Sequence, residues 1–247
     1  MGLTASGPLE RLAVSAVATQ GVVGQAEIAL TPFAEAAFAT ARLQLDDIDP
    51  AAWQPGAPQA RLSIVADVQP QGEGIVGSFG LTNYQPGPLD KQRLPLDTLA
   101  GTLEWQGSTA RFASLHATLP GSGELSGHGE WQNGALTLDL AVRRLQAAQI
   151  ATMLRSPALN GQISSTVGGE RQNLNVDLNG AGFRLRAEAI HAAGRVSLPQ
   201  LRLESGDARM AAQGEITLDG ERRFTAEGQL QHFEPSRVGK LPAAQIN

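Results

Sequence analysis

Apolar and polar residues alternate one for one along most of the chain, and that period of two predicts strands rather than helices. Leu62, Ile64, Ala66 and Val68 alternate with Arg61, Ser63, Val65 and Asp67, and Leu99, Gly101, Leu103 and Trp105 alternate with Ala100, Thr102, Glu104 and Gln106. Leu125, Gly127, Gly129 and Trp131 follow the same rule, and so do Leu136, Leu138, Leu140 and Val142. Further on come Ile163, Ser165 and Val167, then Leu174, Val176 and Leu178, then Phe183, Leu185, Ala187 and Ala189. Val196/Leu198 and Leu201/Leu203 precede a run through Met210, Ala212, Gly214, Ile216 and Leu218, and the last run is Phe224, Ala226, Gly228 and Leu230. Asn133-Gly134, Gly168-Gly169, Asn179-Gly180 and Asp219-Gly220 read as tight hairpin turns, because these residues tolerate positive φ. Short connections predict antiparallel pairing of sequence neighbours, an all-β meander.

A short punctuation interrupts the alternation three times. The chain reads Leu-Asp-Asp-Ile-Asp-Pro-Ala-Ala-Trp at 45–53, Val-Arg-Arg-Leu-Gln-Ala-Ala-Gln-Ile at 142–150 and Leu-Gln-His-Phe-Glu-Pro-Ser-Arg-Val at 230–238. The central positions Asp49, Gln146 and Glu234 recur at roughly 90-residue intervals, the mark of a repeat array. Asp49 suits a helix cap and Pro50 the first helical position, so each punctuation predicts one helical turn, near Pro50, Ala147 and Pro235. Trp53 and Val238 are expected to fold back over the sheet end. About six strands are expected between marks. The resulting division is the end of one repeat at 1–48, repeats at 49–145 and 146–233, and the start of another at 234–247, as in a piece of a longer protein.

Such a chain has one apolar face, and that face must be covered. A closed barrel or a two-sheet sandwich would give a dry core. A long sheet curled into an open groove would make the apolar lining the working surface. The inward Gly101, Gly127, Gly129, Ala187, Ala189, Ala212, Gly214 and Gly228 leave room and permit curvature, which suits the groove. Both architectures stay open on the alternation alone.

Composition narrows the function more than the fold. With 42% hydrophobic residues the chain can bury apolar surface, yet aromatics are 4%, charged residues 17%, and there are 28 Gly and 14 Pro, which suits short strands and turns. There are no cysteines, so disulfides, thiolate metal sites and cysteine nucleophiles are excluded. The net charge is −5, and Lys91 and Lys240 are its lysines, so no basic stripe offers itself to nucleic acid. The weakly polar stretch Leu12–Leu30 alternates and carries Gln20, Gln25 and Glu27, unlike a membrane-spanning segment. No charged region followed by an apolar core marks a signal peptide at the N-terminus.

Little in the sequence predicts catalysis. His116, His128, His191 and His232 lie in four different runs without metal-ligand spacing. Asp46, Asp47 and Asp49 read as turn and cap chemistry. Gly121-Ser122-Gly123 has no following helix and is not a nucleophile elbow. No cofactor or metal is expected. The loop Thr82–Asp97, with Tyr84, Lys91 and Arg93, reads as an elaborated connection that could also meet a partner.

The crossovers, the Pro-Ala-Ala-Gln-Ile-Asn stretch at 242–247 and the Leu-Pro-Gly-Ser-Gly-Glu-Leu-Ser-Gly-His-Gly-Glu-Trp stretch at 119–131 resemble the TamB branch of the AsmA-like family. The likeness runs from about Ala41 to Asn247 and, more loosely, over Gly24–Leu30; the middle crossover departs from it, with Gln146-Ala147 in place of Asp-Pro. The resemblance implies a taco-shaped β-groove in the periplasm of a diderm bacterium. It implies an inner-membrane anchor outside this sequence, phospholipid transport, and assembly of outer-membrane proteins with an Omp85-type barrel met through regions outside this sequence. It implies no enzyme. The lining expected to hold phospholipid acyl chains is Leu125, Trp131, Leu136, Leu138 and Leu140 in one repeat. In the next it is Leu174, Val176, Leu178, Phe183, Leu185, Met210, Ile216 and Phe224. The alternative is a secreted structural β-sandwich or adhesin-type module that moves no lipid. An outer-membrane barrel would need aromatic girdles that one Tyr and three Trp cannot supply.

Overall fold

A computed structural model describes residues 2–20, 22–34, 36–155, 157–218, 223–232, 236 and 239–240. It comprises two compact units, 1–118 and 119–247, whose boundary falls within a repeat rather than at a crossover. The first unit carries β1 (Gly2–Ser6), β2 (Leu12–Gln20), β3 (Val22–Leu30), β4 (Phe38–Ile48), β5 (Leu62–Gln71), β6 (Gly74–Asn83), β7 (Thr98–Gln106) and β8 (Thr109–Leu119). The second carries β9 (Gly123–Gln132), β10 (Ala135–Leu145), the single helical turn α1 (Ala147–Ile150), β11 (Leu159–Gly168), β12 (Arg171–Gly180), β13 (Phe183–Ala192), β14 (Arg195–Ser205), β15 (Ala208–Thr217) and β16 (Phe224–Gln231).

Within each unit every strand pairs antiparallel with its neighbour in sequence. The end strands of a unit are not paired with each other, so neither unit is a closed barrel. Six strands, β5–β10, lie between the turn at Pro50 and α1, and six more, β11–β16, follow α1. The fold is therefore an all-β antiparallel meander punctuated by short helical turns.

The hairpin at Asn133-Gly134 has φ of 52° and 79°, the left-handed pair its sequence requires. Asn179-Gly180 is a correction. These residues stay in strand, paired with Arg184 and Phe183, and the turn is Ala181-Gly182, with φ of 21° and 77°. Gly180 is needed for another reason: a Cβ there would collide with the Ala158 carbonyl oxygen. The Asp219-Gly220 turn and the crossover residues Glu234 and Pro235 lie outside the described residues.

The first crossover forms as its sequence predicts. Pro50–Ala52 is a 3-10 turn, and Asp49 Oδ1 accepts from Ala51 N at 3.1 Å as its cap. The same oxygen accepts from Ala60 N at 3.1 Å and so closes the crossover loop on itself. Trp53 does not fold over the sheet end; it is 66% exposed. Ala60 and Leu94 take that place, packing with Ile48, Leu62 and Leu81. Leu94 arrives on the loop between β6 and β7, which contains an unforeseen 3-10 turn at Leu89–Lys91. Asn83 staples this loop. It is 5% exposed, its Oδ1 accepts from Arg61 N at 3.2 Å and Gln85 N at 3.0 Å, and its Nδ2 donates to Leu94 O at 3.2 Å. A buried amide with its partners met stabilises the fold, and one without them costs it.

A device unseen in the sequence precedes each crossover. Asp47, Arg144 and His232 each stand two residues before the mark and have φ of 58°, 52° and 48°. The first two sit in register shifts between β4 and β5 and between β10 and β11. Each shift is a β-bulge, two residues opposing one, and it keeps Ile48 and Leu145 on the apolar side as the strand ends.

Candidate functional site

The register decides which side chains share a face, because residues directly opposite in an antiparallel pair point the same way. In the second unit, Leu125, Val142, Gly161, Leu178, Leu185, Leu203, Met210 and Leu230 are successive partners across all eight strands. The next row, two residues along each strand, runs Gly127, Leu140, Ile163, Val176, Ala187, Leu201, Ala212 and Gly228. A third contains Gly129, Leu138, Ser165 and Leu174, then Leu198, Gly214 and Ala226. A fourth contains Trp131, Leu136 and Val167, then Gln172 and His191, then Val196, Ile216 and Phe224. Phe183 shares this face beside Leu185. All thirteen residues expected to line a groove thus lie on one face.

The face is banded. On β9, β15 and β16 a large residue at each end flanks two small ones: Leu125 and Trp131 around Gly127 and Gly129, Met210 and Ile216 around Ala212 and Gly214, Leu230 and Phe224 around Gly228 and Ala226. On β10–β12 and β14 the middle is filled by Leu140, Leu138, Ile163, Val176, Leu174 and Leu201 instead. The outer rows are six residues apart along a strand, roughly 20 Å, and eight strands span roughly 33 Å.

Burial is graded along the strands. At the crossover end Val142 and Leu159 are 2% exposed, and Leu178, Phe183, Leu203 and Ala208 are buried with them in one cluster. At the opposite end Val167 is 50% exposed, Phe224 78%, and Trp131, Leu174 and Ile216 are also exposed. A two-sheet sandwich buries the apolar faces of both sheets; this face is bare at one end. Leu178 and Phe183, expected as lining, are instead covered by their neighbours and hold the sheet together. Sequence reasoning missed the depth gradient and so did not single out Val142, Leu203 or Leu159. Alternation tells the face, and only the position of the crossover tells the depth.

The middle glycines also do something other than leave room. A Cβ at Gly127 would collide with the Asp139 carbonyl oxygen, and one at Gly214 would come within 2.8 Å of the Thr225 oxygen. The adjoining strand passes too close for a side chain, a role that suits glycine in a strand.

In each unit the face opposite the apolar one is polar and carries exposed ion pairs between strands: in the first, Arg42 Nε to Asp67 Oδ2 at 2.7 Å and Arg61 Nε to Asp47 Oδ1 at 2.6 Å; in the second, Arg186 Nε to Asp177 Oδ2 at 2.9 Å. Exposed pairs of this kind contribute little each. His128 Nε2 lies 3.8 Å from Asp139 Oδ2, both exposed. Among the described residues no group of three His, Asp or Glu residues converges as a metal site would, and no helix is long and apolar enough to cross a membrane. No family model, no curated protein and no solved structure matches this chain.

Proposed function

We propose that the apolar face of this chain is a track for phospholipid acyl chains, in a segment of a periplasmic protein of the TamB branch of the AsmA-like family. The observation that carries the reading is the apolar face of the second unit: its second row is apolar across all eight strands, large residues flank small ones on β9, β15 and β16, and the face is exposed at one end. Each methylene removed from water contributes about 0.8 kcal/mol, so a chain is retained without any specific pocket. Strands follow one another about 4.8 Å apart, so sliding by one strand along the second row exchanges one apolar contact for another. The polar face and its ion pairs stay in water. In this reading the chain carries lipid between the inner and outer membranes of a diderm bacterium and performs no covalent chemistry.

The test uses sequence neighbours that face opposite ways. Photo-crosslinking residues placed at Leu138 and Leu140 in cells should give lipid adducts, and the same residues at Thr137 and Asp139 should not. Leu174→Asp should reduce the adducts. Equal labelling of both faces, or adducts to barrel proteins alone, would reject the track.

A further inference from the structure

Gly101 and Gly228 both lie on apolar faces, the first in unit one and the second in unit two, and their surroundings differ. A side chain begun at Gly228 would meet the adjoining strand, with the Ala211 carbonyl oxygen at 3.1 Å and Ala212 Cβ at 3.5 Å. One begun at Gly101 would meet other side chains, with Leu115 Cδ2 at 2.9 Å and Phe79 Cζ at 3.0 Å. The space above Gly101 is already occupied.

Two features hold the occupants there. Phe79 is the register partner of Gly101, and its ring meets Phe112 edge to face with centroids 6.0 Å apart, a favourable arrangement of ring quadrupoles. Leu115 is brought over by a register shift in which two residues of β8 oppose Gly101. The extra residue, Ser114, has φ of 53°, an uphill conformation for any residue with a side chain. Leu115 is 8% exposed as a result. A left-handed serine is thus retained where it sets a leucine beside two phenylalanines.

We propose that Phe79, backed by Phe112 and Leu115, is a constriction in the first unit: an acyl chain crosses β7 only when the Phe79 ring leaves Gly101. This rests on the reading of the apolar face as an acyl track. The second unit has no such roof over Gly214 or Gly228, so it holds chains freely while the first admits them selectively. Phe79 then sets the size of what passes.

The experiment incorporates a benzophenone amino acid at Leu103, on the same face two residues from Gly101, or at Leu138 as reference. The full chain is mixed with vesicles of dioleoyl phosphatidylethanolamine and phosphatidylglycerol carrying tritiated acyl chains. Phe79→Ala should raise lipid adducts at Leu103 severalfold and Phe79→Trp should lower them, with adducts at Leu138 unchanged. Adducts at Leu103 that are the same in all three proteins, with Leu138 labelled, would overturn the constriction and leave the track standing. No adducts at Leu138 in any protein would sink the track and the constriction together. Phe79→Ala can also loosen the first unit, so Phe79→Leu, checked for an unchanged thermal unfolding curve, must raise the Leu103 signal too. If it folds normally and does not, the proposal is wrong.

Discussion

The two ends of the second unit's apolar face have the same kind of side chain and opposite fates. At the crossover end Val142, Leu178, Phe183 and Leu203 are buried against one another. At the hairpin end Trp131, Val167, Leu174, Ile216 and Phe224 are open to solvent. Hydrophobicity therefore does not separate structure from function in this sheet; position along the strand does. One end supplies cohesion between the strands, and the other, in the proposed reading, is the end that meets lipid.

Charge insertion should break this contrast most sharply. Leu178→Arg leaves an unpaired charge in the packed end and is expected to cost roughly 3–5 kcal/mol, a large share of a domain's stability. Leu174→Arg, four residues away on the same face, should cost no more than about 0.5 kcal/mol. Urea unfolding followed by circular dichroism measures both, and equal costs would remove the distinction between the ends.

Truncating one aromatic at each end sharpens the same point. Phe183→Ala should cost about 3–5 kcal/mol through the cavity it leaves. Phe224→Ala should stay within about 0.5 kcal/mol while weakening lipid retention. A large stability loss at Phe224 would mean that the hairpin end is packed after all.

The first unit seals its crossover end differently, with polar staples, and these should be worth less. Asn83→Ala takes the acceptor from Arg61 N and Gln85 N, while Leu94 O keeps its bond from Gly87 N, and is expected to cost about 1–3 kcal/mol. Asp49→Ala, which removes a cap, should cost about 0.5–2 kcal/mol. Hydrogen exchange at Gln59, whose N–H is donated to Gln92 O at 2.8 Å, should accelerate in Asn83→Ala if the loop is released. Unchanged protection there would show that Leu94 alone holds the loop.

These staples also mark how much of the fold and site the sequence revealed. Alternation gave the strands, their faces and the meander, and Asp49-Pro50 gave the first crossover, because each is a local rule. Asp47, Arg144 and His232 escaped, since no residue type there advertises positive φ. Asn179-Gly180 misled, because glycine serves close approach as well as turns, and sequence does not tell which. The role of Asn83 depends on the loop between β6 and β7 that it holds, and the depth of Leu178 and Phe183 on side chains from several strands closing on one another, both non-local outcomes.

The smallest expected effect lies at Asp97, beside that stapled loop. Desolvation raises its carboxyl above the ordinary range. The folded state then holds this proton more tightly than the unfolded state does. Its contribution is present below the ordinary carboxylate pKa and fades as pH rises through the raised one. Asp97→Asn should flatten this part of the pH–stability curve and leave the protein marginally more stable at neutral pH. A loss of stability at neutral pH would contradict the sign.

The central claim is that the apolar face is open to an acyl chain in its middle and at its hairpin end. Methyl-labelled leucine and valine spectra, recorded with a phospholipid bearing a nitroxide on its acyl chain, test this most directly. The account predicts paramagnetic broadening of the Leu138, Leu140 and Leu174 methyls, little at buried Val142, and none at Val65, which is exposed on the polar face of the first unit. Broadening of Val65 as strong as that of Leu138, or no broadening at all, would contradict it.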